Sequence, residues 1–347
     1  MRLRKHLALW MIGALLVIAG IAFRPAFTFS IPSPGIAALE QVTLGGTPQW
    51  ILVRGHDLSR PIVLFLHGGP GMPSMFLAHA FQRDLEKDFV VVHWDRRGAG
   101  KSYAPDIDPQ LMRVSQELSE TEELIRLLLE RFGPHQVILV GHSYGSYLGV
   151  EFAKRHPDLV AAYVGVGQTA CGAVEQSAIQ DEWLRGQALR WNDADTVAAI
   201  DRQTSWDRES ALFMYGGEVV GMKSFVPIIM LGLRSPEYTL RDALNVPKGV
   251  QFTHKHLIYD VDAGLDQPLI DAVPSLSVPV YFFSGRHDMT TPSACAERFY
   301  ANLESPSKHW VWFEHSAHFA FLEEPERFHE ELTKVARDLQ SLNAEPQ

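Results

Sequence analysis

VILVGHSYGSYLG, residues 137–149, changes character at its midpoint. Four apolar residues, Val137 to Val140, read as a buried β-strand and run into Gly141-His142-Ser143-Tyr144-Gly145 before the pattern turns helical. A chain passing from strand to helix in so few residues must bend sharply. Its central residue is forced towards positive φ, and the flanking positions must lack bulk for strand and helix to approach, which Gly141 and Gly145 permit. Such a turn lifts the Ser143 hydroxyl above the strand ends and aims the Tyr144 N–H, at a helix N-terminus, into the same space.

Away from this turn the chain alternates short apolar runs with amphipathic stretches. QWILVRG (49–55) and PIVLFLHGG (61–69) read as neighbouring strands, FLAHAFQRDLEKDF (76–89) as a helix and VVVHWD (90–95) as a buried strand. SETEELIRLLLERFG (119–133) carries a Ser cap, acids in its first turn and Gly133 at its end, the punctuation of a helix. Beyond the strand LVAAYVGVG (159–167) the rhythm becomes helical, and alternation resumes only with VPVYFFSG (278–285), a helix from Pro292, KHWVWFEH (308–315) and a helix over 323–340. Strands alternating with helices predict an α/β, mainly parallel, doubly wound sheet covered on both faces, with a helical cap inserted after the sixth strand. The expected division is 1–36 for a leader and linker, 37–167 and 273–347 for the core, and 168–272 for the insertion.

A serine hydroxyl is a weak nucleophile that needs a base, and the base needs an orienting carboxylate. In sheets of this type the chain order is Ser, acid, His. Asp288 ends the strand YFFSGRHD and His318 follows WVWFEHSAH, so both belong at the sheet edge that presents Ser143. Asp262, Asp266 and Asp271 follow no strong strand, and His315 lies too near its strand, which favours a structural role. HGGPG (67–71) follows the strand IVLFL; its Gly69 N–H is expected to join the Tyr144 N–H in holding an oxyanion.

HGGPG, DRRGAGKS (95–102), GHSYG, SGRHD and SAHF, in this order, resemble the α/β-hydrolase superfamily over residues 45–340. HGGPG with a DxRGxGxS loop resembles the proline iminopeptidases, serine exopeptidases that remove N-terminal proline. The resemblance implies Ser143 as nucleophile, His318 as base, Asp288 as orienter and a helical cap over the pocket. The elbow departs from the Gly-Gly-Ser-Trp-Gly common in those peptidases, and among the acids Glu175, Asp181, Glu182 and Glu218 none matches a family position for binding the substrate amine. An aminopeptidase of that type therefore leads, with a carboxylesterase or other acyl hydrolase as the alternative and a non-catalytic binding protein disfavoured by the complete catalytic set.

Composition narrows the partners. A net charge of -10 over 347 residues leaves no basic stripe for nucleic acid. GAGKS lacks the first glycine of a phosphate loop, and His254-x-His256 and His315-x2-His318 lack supporting ligands, so no nucleotide, metal or other cofactor is expected, only a small-molecule or short-peptide substrate. Trp183, Trp191, Phe213 and Tyr215 read as core of the insertion before substrate wall. Arg2, Arg4, Lys5 and His6 precede LALWMIGALLVIAGIAF (7–23), which carries no charge. This run reads as a membrane anchor that leaves the catalytic domain extracytoplasmic, or as an export signal cleaved to give a secreted chain. Cys171 and Cys295 are expected as buried free thiols, although an oxidising compartment would permit a bond between them.

Overall fold

The computed structural model describes residues 26–133, 135–202 and 206–344; the apolar run at 7–23 lies outside the described residues. No helix among the described residues is long and apolar enough to cross a membrane.

The strands are β1 (Ile36–Leu44), β2 (Thr47–Gly55), β3 (Ile62–Leu66), β4 (Val90–Asp95), β5 (Val137–His142), β6 (Val160–Val166), β7 (Val280–Gly285) and β8 (Lys308–Phe313). They form one 8-stranded sheet in the order β1-β2-β4-β3-β5-β6-β7-β8. β2 pairs antiparallel with β1 and β4, and every pairing from β4 to β8 is parallel. The pleat sends alternate residues to opposite faces. From β3, Ile62, Leu64 and Leu66 pack with Leu124, Leu128, Leu148, Phe152 and Phe299, whereas Val63 and Phe65 pack with Phe81, Leu85, Phe328 and Leu332. Both faces are thus covered, as near-continuous apolar runs such as IVLFL require.

Several elements differ from those the sequence predicts. β2 and β3 are not neighbours: β4 lies between them, because β2 returns antiparallel against it. IAALEQVTL forms β1, an edge strand whose alternation of half-buried and exposed residues the reading passed over. The helix expected from Ser119 starts at Val114 and extends to Phe132, since Val114 and Leu118 continue its buried stripe, while Gly133 closes it at φ 88 as expected. The helix expected over 76–89 is two short ones, Ala78–Phe81 and Leu85–Asp88. Between them Gln82 turns inward to donate to Glu86 (2.8 Å), which Arg54 also holds at 2.6 Å.

Between β6 and β7 the chain is helical, with helices Ala173–Arg190, Ala194–Asp201, Arg208–Tyr215, Val226–Leu233, Leu240–His256 and Leu269–Ala272. The first of them is fastened to the core: Gln176 Nε2 donates to the Thr290 carbonyl (2.9 Å) and Gln180 Nε2 to those of Met289 (3.0 Å) and Thr290 (2.9 Å). That docking brings Cys171 against Cys295 on the helix Ser293–Asn302, and the two form a disulfide with Cα atoms 5.5 Å apart. The expectation of free thiols is thereby overturned.

Thiol titration of the unfolded, unreduced chain is expected to detect no free cysteine. Replacing both by alanine should lower unfolding stability in denaturant by about 2–5 kcal/mol, since the bond closes a long loop. An unchanged midpoint would remove the cross-link from the sources of stability.

Candidate active site

β5 ends at His142 and the helix Tyr144–Arg155 starts two residues later. Ser143, alone between them, sits at φ 54 and ψ -124, a conformation that L residues rarely adopt. The glycines carry the reason for this strain. A Cβ on Gly141 would lie 2.5 Å from the Gly145 carbonyl oxygen, and one on Gly145 would overlap the Leu66 carbonyl. The Ser143 N–H donates to the Val166 carbonyl (3.0 Å), and the Ser143 carbonyl accepts from Ser146 N–H (2.8 Å) and the Thr169 hydroxyl (3.2 Å). The elbow is therefore anchored to β6 and the segment following it.

His318 and Asp288 meet as expected. His318 Nδ1 lies 2.9 Å from Asp288 Oδ2, both side chains buried. Thr291, which the sequence reading missed, fixes the carboxylate through its N–H to Oδ1 and its hydroxyl to Oδ2, each at 2.9 Å. His142, also missed, places its Nε2 3.0 Å from the His318 carbonyl oxygen, and its ring lies 4.6 Å from the His318 ring. The His318 N–H donates to the Glu218 carbonyl (2.9 Å). Burial alone would drive His318 down, but the charge and hydrogen bond of Asp288, followed by the charges of Glu218 and Glu323, raise its pKa to about 9. The neighbouring carboxyls respond in kind: burial pushes Glu218 up and Glu323 up to about 7.

HGGPG follows β3 and faces Ser143. Gly68 is close enough that a Cβ there would lie 2.9 Å from that of Ser143, and Gly69 takes φ 111, a region open to glycine. His67 secures this loop. Its Nδ1 meets the Gly68 carbonyl (3.0 Å), and its Nε2 accepts the Arg96 N–H (3.3 Å). Burial and the Arg96 charge hold its pKa well below the usual histidine range, so it stays neutral as that pattern requires. Tyr144 opens its helix, where the first-turn N–H groups have no intrahelical acceptor, and its hydroxyl donates to Glu117 Oε2 (2.6 Å).

Ser143, His318, Gly68 and Gly69 share a cavity of about 510 Å³ with Met72, Phe76, Leu212, Glu218, Phe225, Ile228 and Phe319. Of the four acids considered in the insertion, Glu218 alone borders it. Glu175 pairs with Arg298, Asp181 with Arg208, and Glu182 is exposed. Glu209, overlooked in the sequence, also borders the cavity. His315 is exposed, with its N–H on Glu324 (3.0 Å), and Asp262, Asp266 and Asp271 are exposed. Trp183, Trp191, Phe213 and Tyr215 do not border the cavity: Phe213 is buried, Trp183 and Tyr215 pack among the inserted helices, and Trp191 is exposed. GAGKS serves structure, with Lys101 N–H on Asp95 (2.8 Å), Lys101 Nζ on Asp242 (2.7 Å), and Arg97 paired with Glu120. Among the described residues no cluster of three or more His, Cys, Asp or Glu is placed to hold a metal ion.

Comparison with known proteins agrees with this architecture. A family model described as the α/β hydrolase fold matches residues 61–325. A probable aminopeptidase of Bacillus subtilis is 31% identical over 87% of this chain and 97% of its own length. A proline iminopeptidase of Heyndrickxia coagulans is 26% identical over 77% of this chain and 87% of its own. The crystal structure of a Mycobacterium smegmatis proline iminopeptidase superposes with a TM-score of 0.62 at 20% identity, covering 89% of this chain and 100% of that one. The chain belongs to the α/β-hydrolase fold family.

Proposed function

We propose that the chain is a serine hydrolase, an aminopeptidase of proline-iminopeptidase type. Ser143 Oγ attacks the scissile carbonyl and passes its proton to His318 Nε2, while Asp288 holds Nδ1–H and fixes the tautomer. The oxyanion forms under the Gly69 and Tyr144 N–H groups. His318 returns the proton to the leaving amine, and a water deprotonated by His318 then releases the acyl group and regenerates Ser143.

Glu218 carries the peptidase reading. Its carboxylate is buried at the cavity wall beside His318 and accepts a hydrogen bond from the neutral Thr290 hydroxyl. A buried carboxylate held by a neutral group is a binding site for a cation, here the ammonium of a peptide N-terminus. The apolar wall of Met72, Phe76, Leu212, Phe225 and Phe319 suits a proline ring, and equally supports the second reading, a carboxylesterase or other acyl hydrolase. The segment at 7–23 is assigned as a membrane anchor with the catalytic part extracytoplasmic; the disulfide between Cys171 and Cys295 fits an oxidising compartment.

The test is kcat/KM on a proline arylamide, the same amide with a blocked amine, and a short-chain aryl ester. The free-amine amide should be preferred, and Ser143→Ala should lower turnover by about 10⁴-fold or more. Ester turnover lost in that variant, with neither amide cleaved, would leave the hydrolase and sink the peptidase. Glu218→Gln should cost about 10–100-fold in kcat/KM on the free-amine amide, chiefly through KM, and far less on the ester.

The pH profile provides a separate check. His318 must be neutral to act as base, and its pKa is raised to about 9, so kcat/KM on the uncharged ester should climb with pH towards a limb near that value. Glu218→Gln removes a charge that favours the imidazolium and should move the limb to lower pH. A limb that stays in place would show that the two groups are not coupled.

A further inference from the structure

The helix Val226–Leu233 has the sequence VPIIMLGL, with no polar side chain on any face. A helix apolar all round is normally buried all round. This one is buried on one side only. Ile228 borders the catalytic cavity and Gly232 lies against the Phe76 ring, whereas Val226 and Ile229 are 58% and 48% exposed. The next helix carries Leu240 70% and Leu244 57% exposed one turn apart, and Leu233, Leu240 and Ala243 line a groove between the two helices.

Two further observations identify what covers this face. The first is the path of the chain. The Ala26 N–H donates to the Arg234 carbonyl at the end of the apolar helix (2.6 Å), and the Thr28 hydroxyl donates to Glu237 Oε1 (2.9 Å). Phe27 between them is 74% exposed. The described chain therefore begins at the edge of this patch, separated by two residues in sequence from the run LALWMIGALLVIAGIAF (7–23). The second is charge. Between Met222 and Val250 the exposed charges are Lys223, Arg234, Arg241 and Lys248, in a chain of net charge -10. The acids of that stretch are engaged elsewhere: Glu237 is buried against Thr28 and Ser235, and Asp242 pairs with Lys101.

We infer that the face formed by Val226, Ile229, Leu240, Leu244 and Phe27 seats on a phospholipid bilayer, with Arg241 and Lys248 of the second helix on the headgroups. Exposed apolar side chains together with Lys and Arg on one helix are what an interfacial helix presents to lipid. Seating does not require the N-terminal run to be retained, because the face belongs to the folded part. It places the bilayer one helix thickness from the catalytic cavity, with Ile228 on the inner side and Ile229 on the outer.

The test uses the full chain, whose native cysteines are disulfide-bonded, with a single fluorophore attached in Ile229→Cys, Leu240→Cys or, as a control on the exposed surface of the helix Val114–Phe132, Glu130→Cys. Each variant is first checked for wild-type thermal unfolding. It is then mixed with vesicles of phosphatidylglycerol and brominated phosphatidylcholine and floated. Emission at 229 and 240 should fall about twofold while that at 130 stays unchanged, because an interfacial face sits about 5–10 Å into the headgroup boundary. A chain that floats with all three labels unquenched is tethered without being seated, which overturns the proposal. Failure to float overturns it as well. Energy transfer between labelled copies without vesicles would assign the face to a second copy of the chain and overturn it in favour of a dimer.

Discussion

The site depends on how closely the first turn of the helix Tyr144–Arg155 approaches the end of β3. Gly145 lies against the Leu66 and His67 carbonyls, leaving no room for a side chain. Because β3 and β5 are parallel neighbours, with Leu66 opposite Gly141, that approach brings two chain ends together at once. One is the strained Ser143; the other is HGGPG. The backbone strain at φ 54 is offset by the Ser143 N–H bond to β6 and the bonds its carbonyl accepts from Ser146 and Thr169. Ser143 and HGGPG are thus positioned by one packing constraint. The parallel order β5-β6-β7-β8 then delivers Asp288 and His318 to the same edge.

The electrostatics of that edge are lopsided. Asp288, Glu218 and Glu323 all favour a proton on His318, and the buried Glu218 and half-buried Glu323 are poorly screened by water. Glu323 is satisfied by the N–H groups of Val220, Ala317 and Phe319 and Glu218 by Thr290, none of them charged. An imidazole held this firmly in its protonated form is a poor base. In the proposed aminopeptidase reaction, a ligand cation beside Glu218 would cancel part of the field and release the proton, so an ammonium-bearing substrate would activate His318 as it binds. An uncharged ester brings no such compensation.

Legibility in the sequence followed from how local each feature is. Ser143, Asp288 and His318 each end a run whose apolar character marks a strand, and the sheet rule places all strand ends on one edge, so three residues far apart in the chain could be named together. Strand adjacency has no such local mark: nothing in QWILVRG says that β4 intervenes between β2 and β3. The Cys171–Cys295 bond depends on Gln176 and Gln180 docking to the 289–290 carbonyls, a contact over more than a hundred residues. Glu218 could not be separated from Glu175, Asp181 and Glu182, because the distinction lies in which of them tertiary packing buries at the cavity wall. His142 carries no local mark of a role, although its ring braces the His318 loop.

VPIIMLGL was covered by the description of a helical insertion, which captures its secondary structure and omits its chemistry. If the helix served only to wall the cavity, one apolar face would suffice and its outer positions would gain from polar residues. Val226 and Ile229 instead leave hydrocarbon in water, forgoing about 25 cal/mol for each Å² that could be covered. Val226, Ile229, Leu240 and Leu244 fall on two consecutive helices, and Arg241 and Lys248 are exposed on the second of them. A solvent-facing cap has no use for that distribution. A cap pressed against lipid gains on both counts, and Ile228, on the reverse of the same helix, then couples the seating of the cap to the shape of the cavity.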